Sequence, residues 1–396
     1  MKRKLRRFFL LLRKTSAERT ASGANSRWTR RFAVDSYEVG RLLSSSATPR
    51  ELPQAIRDSR NEKRIATVKK FCKHKVEPLS PRDVTTPDEL CRALAGCGFQ
   101  GRKLSRIVDL WEKMAQDKDC LNVLSLAGAL VPAGMGEILM QLVEGGAVDA
   151  IVSTGANVTH DFVNAIVDQG HYLGSEFEND DVLRQERTNR IFDVYIPEDH
   201  YETGQDFLLK LLRQENIRDR QFSTSEFTRF LGEHCPRRCL LSVALEKNVP
   251  IFVPAVSDSE LGICVAIYRK LDGAKVSFDE VGDIEHYSKI IRTKPRCGCI
   301  ILGGGVPRNW AQQVFPYLDV LSRGEAEESR FHGFQYGVRI STDRAEFGGL
   351  SGCTFEESKS WGKYTADARF ESVVCDSTIA LPLVATALLE RLRKDT

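Results

Sequence analysis

No stretch of this 396-residue chain approaches the roughly 18–20 consecutive apolar residues that a membrane-spanning helix needs, so a polytopic membrane protein is excluded. Its 29 glycines and 14 prolines follow no period, which excludes collagen-like and mucin-like chains. The G-x-G-x-x-G dinucleotide fingerprint is absent. Cys297-Gly298-Cys299 and Cys235-Pro236-Arg237-Arg238-Cys239 have no second matched pair to complete a four-ligand zinc site, so no metal is expected. Eleven cysteines cannot all pair, and Cys264, Cys299 and Cys375 sit in apolar segments as small hydrophobes do. That usage suits a reducing, cytoplasmic compartment. The apolar stretch at 8–12 falls short of the 7–15 residues of a secretory core.

What is present is ordinary globular composition, 42% hydrophobic and 28% charged. Charge is unevenly spread. Residues 1–31 hold eleven Lys or Arg against the single acid Glu18, or +10, which leaves the remainder at −7. Residues 1–65 read as a basic extension, disordered or partly helical, with a targeting peptide or a misassigned start as alternatives. Residues 66–396 read as the catalytic domain. The acidic body shows no basic, aromatic-interleaved face for nucleic acid. It suits a cationic small molecule better.

The body alternates strand, polar loop and helix. Residues 121–126 (LNVLSL), 148–153 (VDAIVS), 249–254 (VPIFVP), 299–302 (CIIL), 335–341 (QYGVRIS) and 372–375 (SVVC) are apolar runs without alternation. Such runs mark parallel strands buried on both faces. Helices are expected over 161–167, 261–271 and 380–393. The pattern predicts an α/β fold, a Rossmann-like, doubly wound, mostly parallel sheet. The loops at the strand ends carry Thr154-Gly155-Ala156-Asn157, Asp258, Gly303-Gly304-Gly305, Thr342-Asp343 and Asp376-Ser377. In open α/β sheets ligands bind at that edge. Glycines there let backbone N–H groups reach a pyrophosphate, and an acid can accept ribose hydroxyls. Each loop alone is as readily structural; five together point to a dinucleotide or another phosphorylated ligand.

Residues 347–363, FGGLSGCTFEESKSWGK, form a long polar loop. A buried lysine can stay neutral and exchange with an imine. A neighbouring tryptophan can hold an alkylammonium on its face.

The stretches VDAIVSTGANVTHDF, VPIFVPAVSDSELG, CIILGGGVPRN, EESKSWGK and VVCDSTIALPL resemble the deoxyhypusine synthase family, in the right order from about residue 66 onward. The resemblance implies NAD as cofactor, polyamine substrates and a homotetramer with active sites at dimer interfaces. It also implies aminobutyl transfer through an imine on Lys363, with no membrane or nucleic-acid partner. By the same resemblance Lys363, Trp361, Glu357 and His160 are catalytic. Thr154, Gly155, Asp258, Gly303, Gly304, Thr342, Asp343, Asp376 and Ser377 hold NAD. Glu357, Trp361, Asn309 and Gly348 hold substrate. Four positions depart from the family pattern: Ile263 and Leu350 replace acids, Asn309 replaces a histidine and His160 replaces a glutamate. The forms GGGVPRN, GGLSGCTFEES and ANVTHDF resemble the bacterial deoxyhypusine synthase-like proteins, some of them similar to homospermidine synthases. The expected reaction is aminobutyl transfer from spermidine or putrescine to a small amine, putrescine giving homospermidine. The alternatives are modification of a lysine on a translation factor and a non-catalytic NAD-binding paralogue.

Overall fold

Six strands carry the architecture: β1 (Cys120–Leu126), β2 (Ala150–Ser153), β3 (Ile251–Phe252), β4 (Arg296–Leu302), β5 (Phe334–Ser341) and β6 (Tyr364–Val374). In the computed structural model, which describes residues 72–168, 170–323 and 333–394, they form one sheet in the order β6-β5-β4-β1-β2-β3. Every neighbouring pair is parallel. Read from the other edge this is 3-2-1-4-5-6, the dinucleotide-binding order whose switch point lies between β1 and β4. Val76–Thr396 forms one compact unit. The extension 1–65 and the boundary at 66 lie outside the described residues.

The uninterrupted apolar runs follow from burial on both faces. Successive side chains of a strand point to opposite sides. Val123, Val152, Cys299 and Ile301 enter one core, with Phe252, Tyr287, Val314 and Phe315. Their neighbours Leu124, Ile151, Ile300 and Leu302 enter the other, with Trp111, Leu381 and Leu388. Helix α1 (Pro87–Leu94) opens on a capping box between Thr86 and Glu89. Then follow α2 (Phe99–Gln116), α3 (Gly136–Glu144), α4 (Gly155–Ile166), α5 (Glu260–Asp272), α6 (Glu280–Ile291), α7 (Gly305–Leu321), α8 (Phe355–Ser360) and α9 (Ser377–Lys394). Helix α7 packs against β1 and β2, while α2 and α9 pack against β5 on the other face. The doubly wound, parallel sheet expected from the sequence is therefore present.

Between α4 and β3 the chain makes an excursion that the apolar runs did not signal. It holds a small antiparallel sheet (Tyr172–Leu173, Thr188–Ile191, Val194–Pro197) and helices Glu198–Gln214, Thr224–His234 and Leu240–Glu246. Its strands are short and half exposed, so they lack a long apolar core run.

One buried ion network ties α1, α2 and α9 together. Arg391, 2% exposed at its side chain, pairs with buried Asp88, and its Nη1 donates to Asp109 and Glu112 at 2.8 Å each. Burial alone would raise the Asp88 carboxyl, but hydrogen bonds and charge from Arg391 and Arg92 outweigh it and hold it low. Arg391→Met removes the buried partner of Asp88, leaving it the exposed Arg92 and Lys394, and should cost about 3 kcal/mol at pH 7, the low end for a broken buried pair. A depressed folded pKa stabilises above the unfolded value near 3.8 and is lost as pH falls through the folded value. The gap between wild type and variant in urea melts should therefore narrow below about pH 4. A gap that is constant from pH 3 to 7 contradicts this.

Candidate active site

Six strand ends build one cavity of about 470 Å³, within the ordinary range for small-molecule sites. It draws Gly128 after β1, Thr154 and Gly155 after β2, and Asp258 after β3. Gly303 and Gly304 follow β4, Thr342 and Asp343 follow β5, and Asp376 and Ser377 follow β6. All nine positions expected to hold cofactor thus line a single crevice. Helices α4, α7 and α9 begin there, so their free N–H groups and positive dipole ends face it. Asp376 spends part of its carboxylate on its own turn, where Oδ1 accepts from the Thr378 N–H at 2.8 Å.

Two glycines shape the cradle. Gly304 has φ 150° and ψ −123°, a region open essentially to glycine alone. A Cβ there would lie 2.5 Å from Ser351 Cα. At Gly155 a Cβ would strike Ser259 Cβ at 2.5 Å. Close backbone approach, three helix starts and rim acids fit a dinucleotide, with the pyrophosphate toward the N–H groups and ribose toward an acid.

Sequence reasoning missed Gly128 and placed Asn157 in the crevice loop, whereas Asn157 is buried on α4 and holds Gly128. The Gly128 carbonyl accepts from Thr154 Oγ1 at 2.8 Å and from Asn157 Nδ2 at 3.1 Å. Asn157 Oδ1 accepts from the Val131 N–H at 3.1 Å. This buried amide fixes the loop after β1. The available signal was Ala127-Gly128, directly after the LNVLSL run.

A second cavity, about 270 Å³, adjoins the first through shared segments. Val306 and Pro307 line one and Arg308 and Asn309 the other, all on the first turns of α7. It collects Lys363, Asn309, Gly348, Glu357 and Trp361, together with Leu350. Lys363 is 8% exposed, and its Nζ donates to Asn309 Oδ1 at 2.8 Å. Burial drives its ammonium below the usual lysine range. Its backbone is fixed on both sides: its N–H donates to Ser358 O at 3.2 Å, and its carbonyl accepts from Phe334 N–H at 3.0 Å. Trp361 is 66% exposed, with its ring available to a ligand or a neighbouring surface. The stretch expected as one long loop is interrupted by α8. Thr354 Oγ1 caps that helix by accepting from the Glu357 N–H at 3.0 Å, and Phe355 and Ser358 are its buried side.

Two expected positions lie elsewhere. His160 is buried on α4 and lines neither cavity; its Nδ1 is 3.0 Å from His171 Nε2. Burial, then the His171 ring, pushes it down to about 4, so it is neutral at pH 7. Ile263, on α5, is 46% exposed and also lines neither cavity. All eleven cysteines are free thiols. Among the described residues no cluster of His, Cys, Asp or Glu could hold a metal, and no helix is long and apolar enough to cross a membrane.

Comparison with known proteins places this architecture. "Probable deoxyhypusine synthase 2" of Methanosarcina mazei is 37% identical over 323 residues, 80% of this chain and 91% of that one. A "deoxyhypusine synthase-like protein" of Chlorobaculum parvum is 34% identical over 300 residues, 74% of this chain and 83% of that one. The crystal structure of a candidate deoxyhypusine synthase from Entamoeba histolytica superposes with a TM-score of 0.54. It covers 80% of this chain and 97% of its own at 17% identity, a likeness of fold alone. Residues 89–388 match the deoxyhypusine synthase family model. A match of that span, with curated relatives above 30% identity along most of their length, makes this chain a member of the deoxyhypusine synthase family.

Proposed function

We propose that the chain is an NAD-dependent aminobutyltransferase in which Lys363 carries the transferred group, and that its acceptor is a small diamine, putrescine giving homospermidine. The observation that carries this reading is the pairing of the two cavities. A buried lysine with a depressed ammonium opens beside a dinucleotide-shaped crevice. NAD, when bound along that crevice, takes up a hydride from the donor polyamine and returns it at the end of the cycle.

The chain's own residues do the rest. Lys363 Nζ forms a bond to the imine carbon of the oxidised donor. The donor's other amine leaves with a proton, as 1,3-diaminopropane when the donor is spermidine. The acceptor amine then bonds to the same carbon and Lys363 departs. Asn309 Oδ1 orients the Lys363 amine. Glu357 offers a carboxylate for an ammonium, and Trp361 a ring face for the alkyl cation. A homotetramer with shared sites would cover the exposed Trp361 and exclude the water that hydrolyses imines.

The small acceptor is favoured by what the second cavity lacks. Leu350 stands in its wall in place of a carboxylate, so a long triamine loses an anchor for one ammonium. Leu350→Asp should tighten spermidine binding about two- to fivefold, the worth of a half-exposed ion pair. Calorimetric titration measures it, and unchanged affinity contradicts the reading of that wall. A second acceptor, a lysine on a translation factor, is favoured by the 37% identity to an archaeal protein described as a deoxyhypusine synthase. The deciding assay combines purified protein, NAD and butyl-labelled spermidine with either putrescine or the factor. Labelled homospermidine supports the proposal. Label on the factor, with no homospermidine, supports the second acceptor. No transfer to either contradicts both.

A further inference from the structure

We propose that Arg308 is a positioning residue whose buried, permanent charge disfavours a second positive charge on Lys363 and so keeps that amine nucleophilic. The inference rests on Lys363 being the group-carrying amine. Arg308 is 2% exposed and ranks among the largest fully buried side chains. Its Nη1 donates to Leu350 O at 3.0 Å and its Nη2 to Ser358 Oγ at 3.2 Å. These are neutral acceptors, and among the described residues no carboxylate forms an ion pair with it. Arg339, on β5, spends its own guanidinium on the same loop, donating to Cys353 O at 2.6 Å. Two buried guanidiniums therefore share one loop, and among the described residues neither forms an ion pair.

A guanidinium does not lose its proton in proteins. Excess positive charge in the pocket then bears on the groups that titrate there, and Lys363 is the titratable cation among them. Arg308 and Asn309 face it from α7, Cys353 from the loop and Glu357 from α8. Burial is the main influence lowering its ammonium; Cys353 opposes it, Arg308 reinforces it and Glu357 opposes it. A neighbouring cation is an established way to free a lysine amine for imine chemistry. An iminium on Lys363 would be a cation too, so the same field would make its carbon more electrophilic and speed release.

The test uses NAD-free protein and no substrate. Competitive acetylation with acetic anhydride, followed by peptide mapping, gives the Lys363 rate against pH. Arg308→Lys loses the fork and keeps the charge while its new amine stays protonated, which the same labelling reads at that position. Arg308→Gln keeps a donor and loses the charge. Wild type and Arg308→Lys should share one low midpoint. In Arg308→Gln the midpoint should rise by about one pH unit, and labelling at pH 7 should slow about tenfold. If Arg308→Gln does not fold, Arg308→Met gives the same comparison. An unchanged midpoint in the neutral variants overturns the proposal. So does an equal shift in Arg308→Lys while its new amine stays unlabelled and therefore charged, which would mean that Arg308 acts only by holding the loop. The readout does not depend on turnover. An aminobutyl adduct on another residue would refute the parent reading while leaving the measured effect of Arg308 intact.

Discussion

Lys363→Arg is expected to lower turnover by at least about a thousandfold while NAD affinity stays within about twofold. The substitution keeps a positive charge but removes the reactive amine, because a guanidinium stays protonated and offers no free lone pair. Lys363 lies in the smaller cavity, and none of the nine crevice residues named above depends on its side chain. Binding and chemistry should therefore separate. Steady-state kinetics with spermidine and putrescine read one, and calorimetric titration with NAD reads the other. Turnover near wild type in Lys363→Arg would mean that the lysine carries nothing. Equal loss of NAD affinity would mean that the two cavities are not separable.

Gly304→Ala is expected to weaken NAD binding by at least about a hundredfold. Two costs combine. The backbone at φ 150° is closed to other residues, a strain of about 1–3 kcal/mol. The new methyl would also lie 2.5 Å from Ser351 Cα and 2.8 Å from Ser351 Cβ. The 350–353 loop cannot move away freely, since Arg308 holds the Leu350 carbonyl and Arg339 those of Gly352 and Cys353. The nearby Gly349→Ala is the control, because its Cβ would meet nothing within 4 Å and its φ is ordinary. It should leave NAD affinity within about twofold. Titration of both variants checks the contrast, and equal losses would place the cause outside the Gly304 geometry.

Most of the sheet was legible because burial on both faces writes itself as short apolar runs. The runs at 121–126 and 335–341 fall within β1 and β5, nearly end to end. The last run, 372–375, marked only the end of β6, which begins at Tyr364, directly after the lysine. Its early part is an edge strand with exposed positions, so hydrophobicity does not announce it. The excursion between α4 and β3 was silent for a related reason: its small sheet is made of strands of two to four residues that are exposed or only half-buried, too short to show as apolar runs. In the candidate site, the loops at strand ends were legible because small and acidic residues there have few other reasons to recur. Asn157 was read as part of such a loop, but a buried amide that binds a loop carbonyl is not distinguished in sequence from one that faces a ligand. His160 was expected to be catalytic by resemblance; in this chain its ring lies against His171 and lines neither cavity. Ile263, read by resemblance as replacing an acid, is exposed on α5 and lines neither cavity of the single chain, whereas Leu350 lines the smaller one.

Aminobutyl transfer through Lys363 stands or falls on a covalent bond at one nitrogen. Purified protein with NAD and butyl-labelled spermidine, quenched with borohydride and mapped by peptide mass spectrometry, tests it directly. The expected result is a reduced aminobutyl adduct on Lys363, dependent on NAD and absent from Lys363→Arg. An adduct on another lysine, or transfer that proceeds with no trappable adduct on Lys363, would contradict it.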